Sequence, residues 1–131
     1  RLWLDHAHLP NLPEPLALDV NDPWPTGRYD AAFTANSLHI MSWPEVQALF
    51  TGLDSALEAN AVLAIYGPFN YRGRFTSESN AAFDESLRLR SRAMGIRDFE
   101  AVDELARSIG LTLVEDCAMP ANNRTLVWRR Q

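Results

Sequence analysis

The sequence lacks lysine altogether and contains a single cysteine. All 12 basic residues are arginine, which we attribute to coding bias rather than to function. Cys117 has no second thiol with which to form an internal disulfide or a cysteine-based metal site. We therefore expect Cys117 to act as a small buried hydrophobic residue. A single cysteine is also compatible with a reducing, cytoplasmic location. No apolar run approaches the roughly 18 residues of a membrane span, and no charged-then-apolar leader is visible.

The sequence also has few glycines, and its net charge is negative. None of the six glycines falls in the G-x-G-x-x-G spacing of a nucleotide-binding loop. The net charge of -5 repels nucleic-acid phosphates, which argues against nonspecific DNA or RNA binding. His6 and His8 alternate along what reads as a helix end, so they point to different sides, and no acid–histidine cluster has ligand spacing. We therefore expect no metal site.

The composition that remains is that of an ordinary globular protein. The chain has 131 residues, of which 47% are apolar and 22% are charged. This is enough for one domain with a hydrophobic core. Because no repeat, low-complexity tract or linker is visible, we predict a single domain over residues 1–131.

Hydrophobic periodicity predicts alternating strands and helices. The predicted order is a strand at 16–20, a strand at 29–35, a helix at 42–60, a strand at 61–66, helices at 80–92 and 98–110, and strands at 111–117 and 125–129. The alternation indicates an α/β fold with a mostly parallel sheet, and the last two strands are close enough in sequence to pair antiparallel. The first of these helices begins with a capping box, Ser42 and Glu45, with Pro44 in its first turn.

Polar side chains follow the predicted strands where ligands bind in open α/β sheets. Asn36, Ser37 and His39 come directly after the strand at 29–35. The carboxyl ends of parallel strands form the usual ligand edge. Asparagine offers a donor and an acceptor, and a neutral histidine can accept a proton. A lone histidine near a strand end is also commonly a satisfied structural residue, so both interpretations stand.

Two other loops are expected at the same edge of the sheet. Tyr66, Gly67, Pro68 and Phe69 end the next strand, where they form either a substrate wall or a plain turn with buried aromatics. The second loop, between the last two strands, contains a pair of asparagines, Asn122 and Asn123, which suit a polar substrate or simply a turn. Residues 76–80, including Asn80, form either a lid or a helix cap.

The chain resembles the C-terminal two-thirds of a class I S-adenosylmethionine-dependent methyltransferase. Within that class it is most similar to the methyltransferase-like protein 26 family. The segments that carry the resemblance are Leu18-Asp19-Val20, Asn36 to Ile40, Tyr66 to Phe69, Thr76 to Asp84, Gly95 to Asp98 and Met119 to Asn123. The resemblance implies a Rossmann-like sheet with an antiparallel C-terminal strand pair, here without the first two strands. The glycine-rich loop and the ribose-binding acid of that fold have no counterpart in the sequence.

The resemblance also implies roles for particular residues. The cofactor would be S-adenosylmethionine, with Asp19 and Val20 near the adenine; a helix cap or a turn acid is the alternative for Asp19. The remaining cofactor residues would be Asn36, Ser37 and Leu38. The catalytic residues would be His39, Asn36 and Tyr66, and the substrate residues would be Gly67, Pro68, Phe69, Asn80, Asn122 and Asn123.

Three functions are therefore open. The first is methyl transfer to a small-molecule acceptor, with this chain inactive by itself because it supplies only part of the cofactor pocket. The second is a degenerate methyltransferase fold that serves as a binding or scaffold module. The third, a nucleotide-dependent oxidoreductase, fits less well because the last strand pair is reversed. A sheet without its first two strands exposes the strand at 29–35, so we also expect self-association or a rearrangement of the strands.

Overall fold

The computed structural model describes residues 18–24 and 27–131. In chain order its elements are β1 (Tyr29–Ala35), α1 (Trp43–Ala56), β2 (Leu57–Gly67), β3 (Phe69–Asn70), α2 (Glu78–Arg90), β4 (Arg97–Asp98), α3 (Phe99–Ser108), β5 (Leu111–Met119), a 3₁₀ turn (Pro120–Asn122) and β6 (Asn123–Arg130). No helix in the described part of the chain is both long enough and apolar enough to cross a membrane.

Four strands form the main sheet, in the order β1-β2-β6-β5. β1 is parallel to β2, whereas β6 is antiparallel to both of its neighbours, β2 and β5. Three of the four strands therefore run in the same direction. This confirms the predicted α/β class with an antiparallel C-terminal pair. The short strands β3 and β4 form a separate parallel pair.

The first helix forms as its sequence predicts. The Ser42 side chain accepts a hydrogen bond from the Glu45 amide (3.3 Å), and the Glu45 carboxylate accepts one from the Ser42 amide (2.9 Å). This reciprocal cap satisfies two of the amides that a helix start leaves unpaired. Val46, Phe50 and Leu53 then recur on the buried face of α1.

One face of the sheet carries the core. Side chains of α1 and α3 pack there against alternate residues of the strands. The largest fully buried side chains include Phe50, Leu63, Ile65, Val102, Leu126 and Trp128. On the opposite face of β1, the Phe33 side chain is 68% exposed.

Three predicted boundaries are wrong or incomplete. The predicted strand at 16–20 is not a strand in its described part, residues 18–20, where the chain enters a turn. The helix predicted to reach residue 60 ends at Ala56, because Leu57 already pairs with Tyr29 of β1. Between the strand predicted at 61–66 and the helix predicted at 80–92, where no strand was predicted, the structure has β3. The helix end predicted at residues 1–8 lies outside the described residues.

Candidate functional site

An open cleft of about 550 Å³ lies at the carboxyl ends of β1 and β2. Its walls come from the loop after β1, the turn after β2, the first turns of α2 and the hairpin between β5 and β6. The residues that line it are Asn36, His39, Pro68, Ser79, Asn80, Phe83, Ala121, Asn122 and Asn123. Six of these were predicted site residues, and the fold brings them together from four separate segments.

Asn36 marks the point where β1 ends. Its φ angle is 56°, a left-handed conformation that asparagine tolerates better than most residues. Its amide donates to the carbonyl of Tyr66 (2.8 Å), which ties the ends of β1 and β2 together. Within the described residues the Asn36 side-chain amide has no hydrogen-bond partner, and the residue is exposed. The amide is therefore available to a ligand in the cleft.

His39 is the one titratable side chain among the residues that line the cleft. The residue is only 7% exposed, and its ring makes a T-shaped contact with Phe83 of α2, with ring centroids 5.3 Å apart. Burial lowers the pKa of His39 below its ordinary value, and the nearby positive charge of Arg97 lowers it further. The imidazole is thereby held neutral near pH 7, which is the form that can accept a proton.

The start of α2 forms the wall opposite the sheet. Ser77 caps the helix by accepting a hydrogen bond from the Asn80 amide (3.0 Å). The buried Asn80 side chain donates to the Thr76 hydroxyl (3.0 Å) and to the carbonyl of Asn122 (3.2 Å). Asn80 therefore connects the helix to the hairpin, and much of its donor capacity is already used inside the protein.

The hairpin between β5 and β6 closes the cleft on a third side. Ala121 and Asn122 both have left-handed conformations, with φ angles of 62° and 61°. The Asn122 side chain donates to the Ser79 hydroxyl (3.2 Å), and the Asn123 side chain donates to the Tyr66 hydroxyl (3.1 Å). Both asparagines therefore stabilise the turn, and both also line the cleft.

Other predicted residues surround the cleft without lining it. Leu38 and Phe69 are 4% and 2% exposed and belong to the hydrophobic core. Ser37 shares a hydrogen bond with the Thr34 hydroxyl (2.6 Å). Tyr66 reaches the cleft only through its bond to Asn123, and Gly67 lies buried beside Asn36.

Asp19 and Val20 lie outside this cleft. The Asp19 carboxylate accepts a hydrogen bond from the Asn21 amide (2.9 Å), the arrangement of a turn acid. Val20 lines a different hollow, between residues 20–24 and α1. The structure thus gives Asp19 the turn interaction that was its alternative interpretation.

Three residues of the cleft were not predicted. Ser79 and Ala121 have no sequence signal beyond their neighbours. Phe83 lies in the helix predicted at 80–92, where no site role was predicted for it; it is 40% exposed and borders His39. Its spacing of three residues from Asn80 places the two side chains on one helix face, and this signal could have identified it.

The site combines one side chain that can accept a proton with several side-chain amides. A neutral imidazole, several carboxamides and an aromatic ring line one hollow, which suits a small polar molecule with an exchangeable proton. Among residues 18–24 and 27–131, no group of three or more histidine, cysteine, aspartate or glutamate side chains is placed to hold a metal ion.

Solved structures with the same fold are methyltransferases. The S-adenosylmethionine-dependent methyltransferase SibL, in its apo form, is 21% identical with a TM-score of 0.75, over 98% of this chain and 39% of that one. An O-methyltransferase family 2 protein from Planctomyces limnophilus DSM 3776, in complex with apigenin, is 19% identical with a TM-score of 0.72, over 88% and 33%.

A third structure was solved with S-adenosylhomocysteine bound. CalO1, a methyltransferase in calicheamicin biosynthesis, is 13% identical with a TM-score of 0.68, over 88% of this chain and 33% of that one. At these identities the likeness concerns the fold, which is that of a methyltransferase. The chain spans about a third of the length of these proteins.

A family model matches almost the whole chain. The match runs over residues 1–130, and the family is described as "Protein of unknown function (DUF938)". The chain therefore belongs to the DUF938 family.

Proposed function

We propose that this chain forms the acceptor side of an S-adenosylmethionine-dependent methyltransferase that acts on a small molecule with an ionisable O–H or N–H group. The observation that carries the proposal is His39, a buried and neutral imidazole in a cleft at the carboxyl ends of two parallel strands. The methyltransferase fold of the neighbouring structures supports it. The narrower relationship to the methyltransferase-like protein 26 family stays a prediction.

The described residues fit part of the cofactor. The Asn36 amide, without a partner in the described chain, can donate to and accept from a polar cofactor group at the end of β1. Ser37 and Leu38 contribute backbone beside it. No glycine-rich turn occurs in the sequence, so these residues would hold only part of S-adenosylmethionine. When bound, S-adenosylmethionine supplies a methyl carbon activated by a sulfonium.

His39 would act as general base. Its neutral imidazole would accept the proton of the acceptor hydroxyl or amine and become positively charged. The methyl group would come from S-adenosylmethionine, which would leave as S-adenosylhomocysteine. Phe83 holds one edge of the ring, which limits the directions from which the acceptor can approach. The side-chain amides of Asn36 and Asn123, which both line the cleft, would orient the polar groups of the acceptor. A cleft of about 550 Å³ is in the range of small-molecule sites.

Cofactor binding is the first test. S-Adenosylhomocysteine should be titrated calorimetrically into this chain and into a longer native protein that contains it. We expect binding to the longer protein, and weak or no binding to the chain alone, because the chain spans about a third of its structural neighbours. Absence of binding to both would refute the proposal and favour the degenerate scaffold.

The role of His39 is tested with a panel of phenolic and amine acceptors in the longer protein. His39→Gln should lower kcat by about 100-fold, a typical contribution of a general base, while the affinity for S-adenosylhomocysteine stays unchanged. Arg90→Gln is a matched control, since Arg90 is exposed at the end of α2. Equal activity of wild type and His39→Gln would rule out this assignment.

We also propose that β1 pairs with β1 of a second copy of this chain. In the described residues β1 has a sheet neighbour on one side only, so the other side presents unpaired backbone groups. Phe33 is 68% exposed on this strand and would be covered by a two-fold-related copy. Light scattering over a concentration series should show a dimer, and Phe33→Lys should weaken it. A monomer at every concentration would contradict this proposal.

A further inference from the structure

We propose that Arg97 is a positioning residue for His39, holding the turn that carries it through hydrogen bonds to carbonyls on both sides of the histidine. The proposal rests on the general-base role of His39 given above. Residues 95–97, which lead into β4, would act as a clamp on the loop after β1. No other cation among the described residues donates to that loop.

The guanidinium of Arg97 spans the turn. Its Nε donates to the carbonyl of Leu38 (3.3 Å), and one Nη donates to the carbonyl of Met41. The same Nη also donates to the carbonyl of Ala93 (2.8 Å). The planar fork of arginine can make these bonds at once in a fixed geometry, which a lysine ammonium cannot reproduce.

A second bond from the same segment reaches His39 itself. The amide of Gly95 donates to the carbonyl of His39 (3.0 Å). The carbonyls of Leu38, His39 and Met41 are therefore all held by residues 95–97. The main-chain position of the histidine, and with it the direction of its ring, is fixed from behind the cleft.

The clamp is itself anchored. Arg97 belongs to β4, which pairs with β3, and its guanidinium lies over the Trp43 ring at 5.7 Å from the centroid. The adjacent Ile96 amide donates to the buried Asp84 carboxylate of α2 (2.8 Å). The segment is thus tied to two helices and a strand, so it can transmit rigidity to the turn.

This arrangement exceeds what folding alone requires. Leu38 and His39 are buried, yet the side chain that binds the carbonyls around them is a half-buried guanidinium, which carries a desolvation cost that a neutral donor would not. The same cation also favours the neutral form of His39. A half-buried arginine at this point is explained if the position of the imidazole matters to within a fraction of an ångström.

The test uses Arg97→Lys, which keeps the charge and removes the fork. The structural readouts are hydrogen exchange of the Gly95 amide and the nuclear Overhauser contact between the His39 and Phe83 rings. We expect Gly95 to exchange at least about 10-fold faster and the ring contact to weaken. In the longer native protein, kcat should fall by about 10- to 100-fold with KM little changed, because misplacement affects the transition state most.

Arg90→Lys is the matched control, since Arg90 makes no hydrogen bond to another described residue. Wild-type Gly95 exchange and wild-type kcat in Arg97→Lys would overturn the proposal. If Arg97→Lys does not fold, the wild-type Arg97 Nε–H signal decides instead: slow exchange supports the clamp, and fast exchange refutes it. If wild type transfers no methyl group, the proposed function fails, while the two structural readouts still decide whether the clamp exists.

Discussion

Asp84 is a buried carboxylate that connects α2 to the segment behind His39. It is 4% exposed; one oxygen accepts from the Ile96 amide (2.8 Å) and the other from Arg88 Nε (2.7 Å). Replacing it with alanine leaves the buried Ile96 amide unpaired, which costs about 2–3 kcal/mol. Asparagine keeps an acceptor for that amide and loses mainly the interaction with Arg88, which is 59% exposed. We expect Asp84→Asn to cost about 1 kcal/mol.

The two substitutions together isolate the Ile96 amide. Urea unfolding followed by circular dichroism should separate Asp84→Ala from Asp84→Asn by about 2 kcal/mol, or about 1 M in midpoint. Glu85→Ala, at the next and exposed position of the same helix, is the matched control and should change stability by less than about 0.5 kcal/mol. Equal stability of the alanine and asparagine variants would show that the hydrogen bond to Ile96 does not stabilise the fold.

Two further changes test the pKa of His39 and the packing of α1. In the folded chain the pKa of His39 lies below its ordinary value of 6.5. Around and just below pH 6.5, the unfolded chain therefore binds more protons than the folded chain does. The free energy of unfolding should therefore fall as the pH drops through about 6.5, and His39→Gln should reduce this slope in urea titrations; an unchanged slope would contradict the burial argument. Gly52→Ala places a Cβ in steric conflict with the Trp24 ring, so we expect a loss of about 1–2 kcal/mol in thermal or urea unfolding, although alanine favours helix. A stabilised variant would show that Trp24 moves aside freely.

The sequence predicted correctly a feature that depends only on residues close together in the chain. The capping box at Ser42 is set by residues within one turn, and it occurs as predicted. The end of α1 is different. Leu57 fits the helical stripe equally well, but its pairing with Tyr29 in the sheet places it in β2. That choice depends on a contact between residues far apart in sequence.

The order of the sheet was beyond the same signals. The last two strands were predicted to pair, and they do. A hairpin, however, can join a sheet through either of its strands, and here β6 pairs with β2 while β5 lies at the edge. Likewise, β3 and β4 have only two residues each, too few for any periodicity, so their pairing was not predicted.

The candidate site was predictable where the chain direction alone places a residue. Asn36, His39 and Asn123 follow or precede strands and meet at one edge of the sheet, as the topology requires. Phe83 and Arg97 could not be assigned in this way, because their roles depend on how α2 and β4 pack behind the loop after β1. The sequence therefore predicts where the loops lie more readily than it predicts which side chains hold those loops in place.

For the asparagines of the cleft, the role of the backbone conformation can be distinguished from the role of the side-chain amide. Asn36 and Asn122 both adopt left-handed backbone, which asparagine tolerates and glycine would satisfy equally well. The Asn122 amide is already bonded to Ser79, so its side chain has a structural use. The Asn36 amide has no such bond to any described residue, and glycine at that position would serve the turn alone. The part of Asn36 that the fold does not require is therefore its side-chain amide, which faces the cleft beside His39.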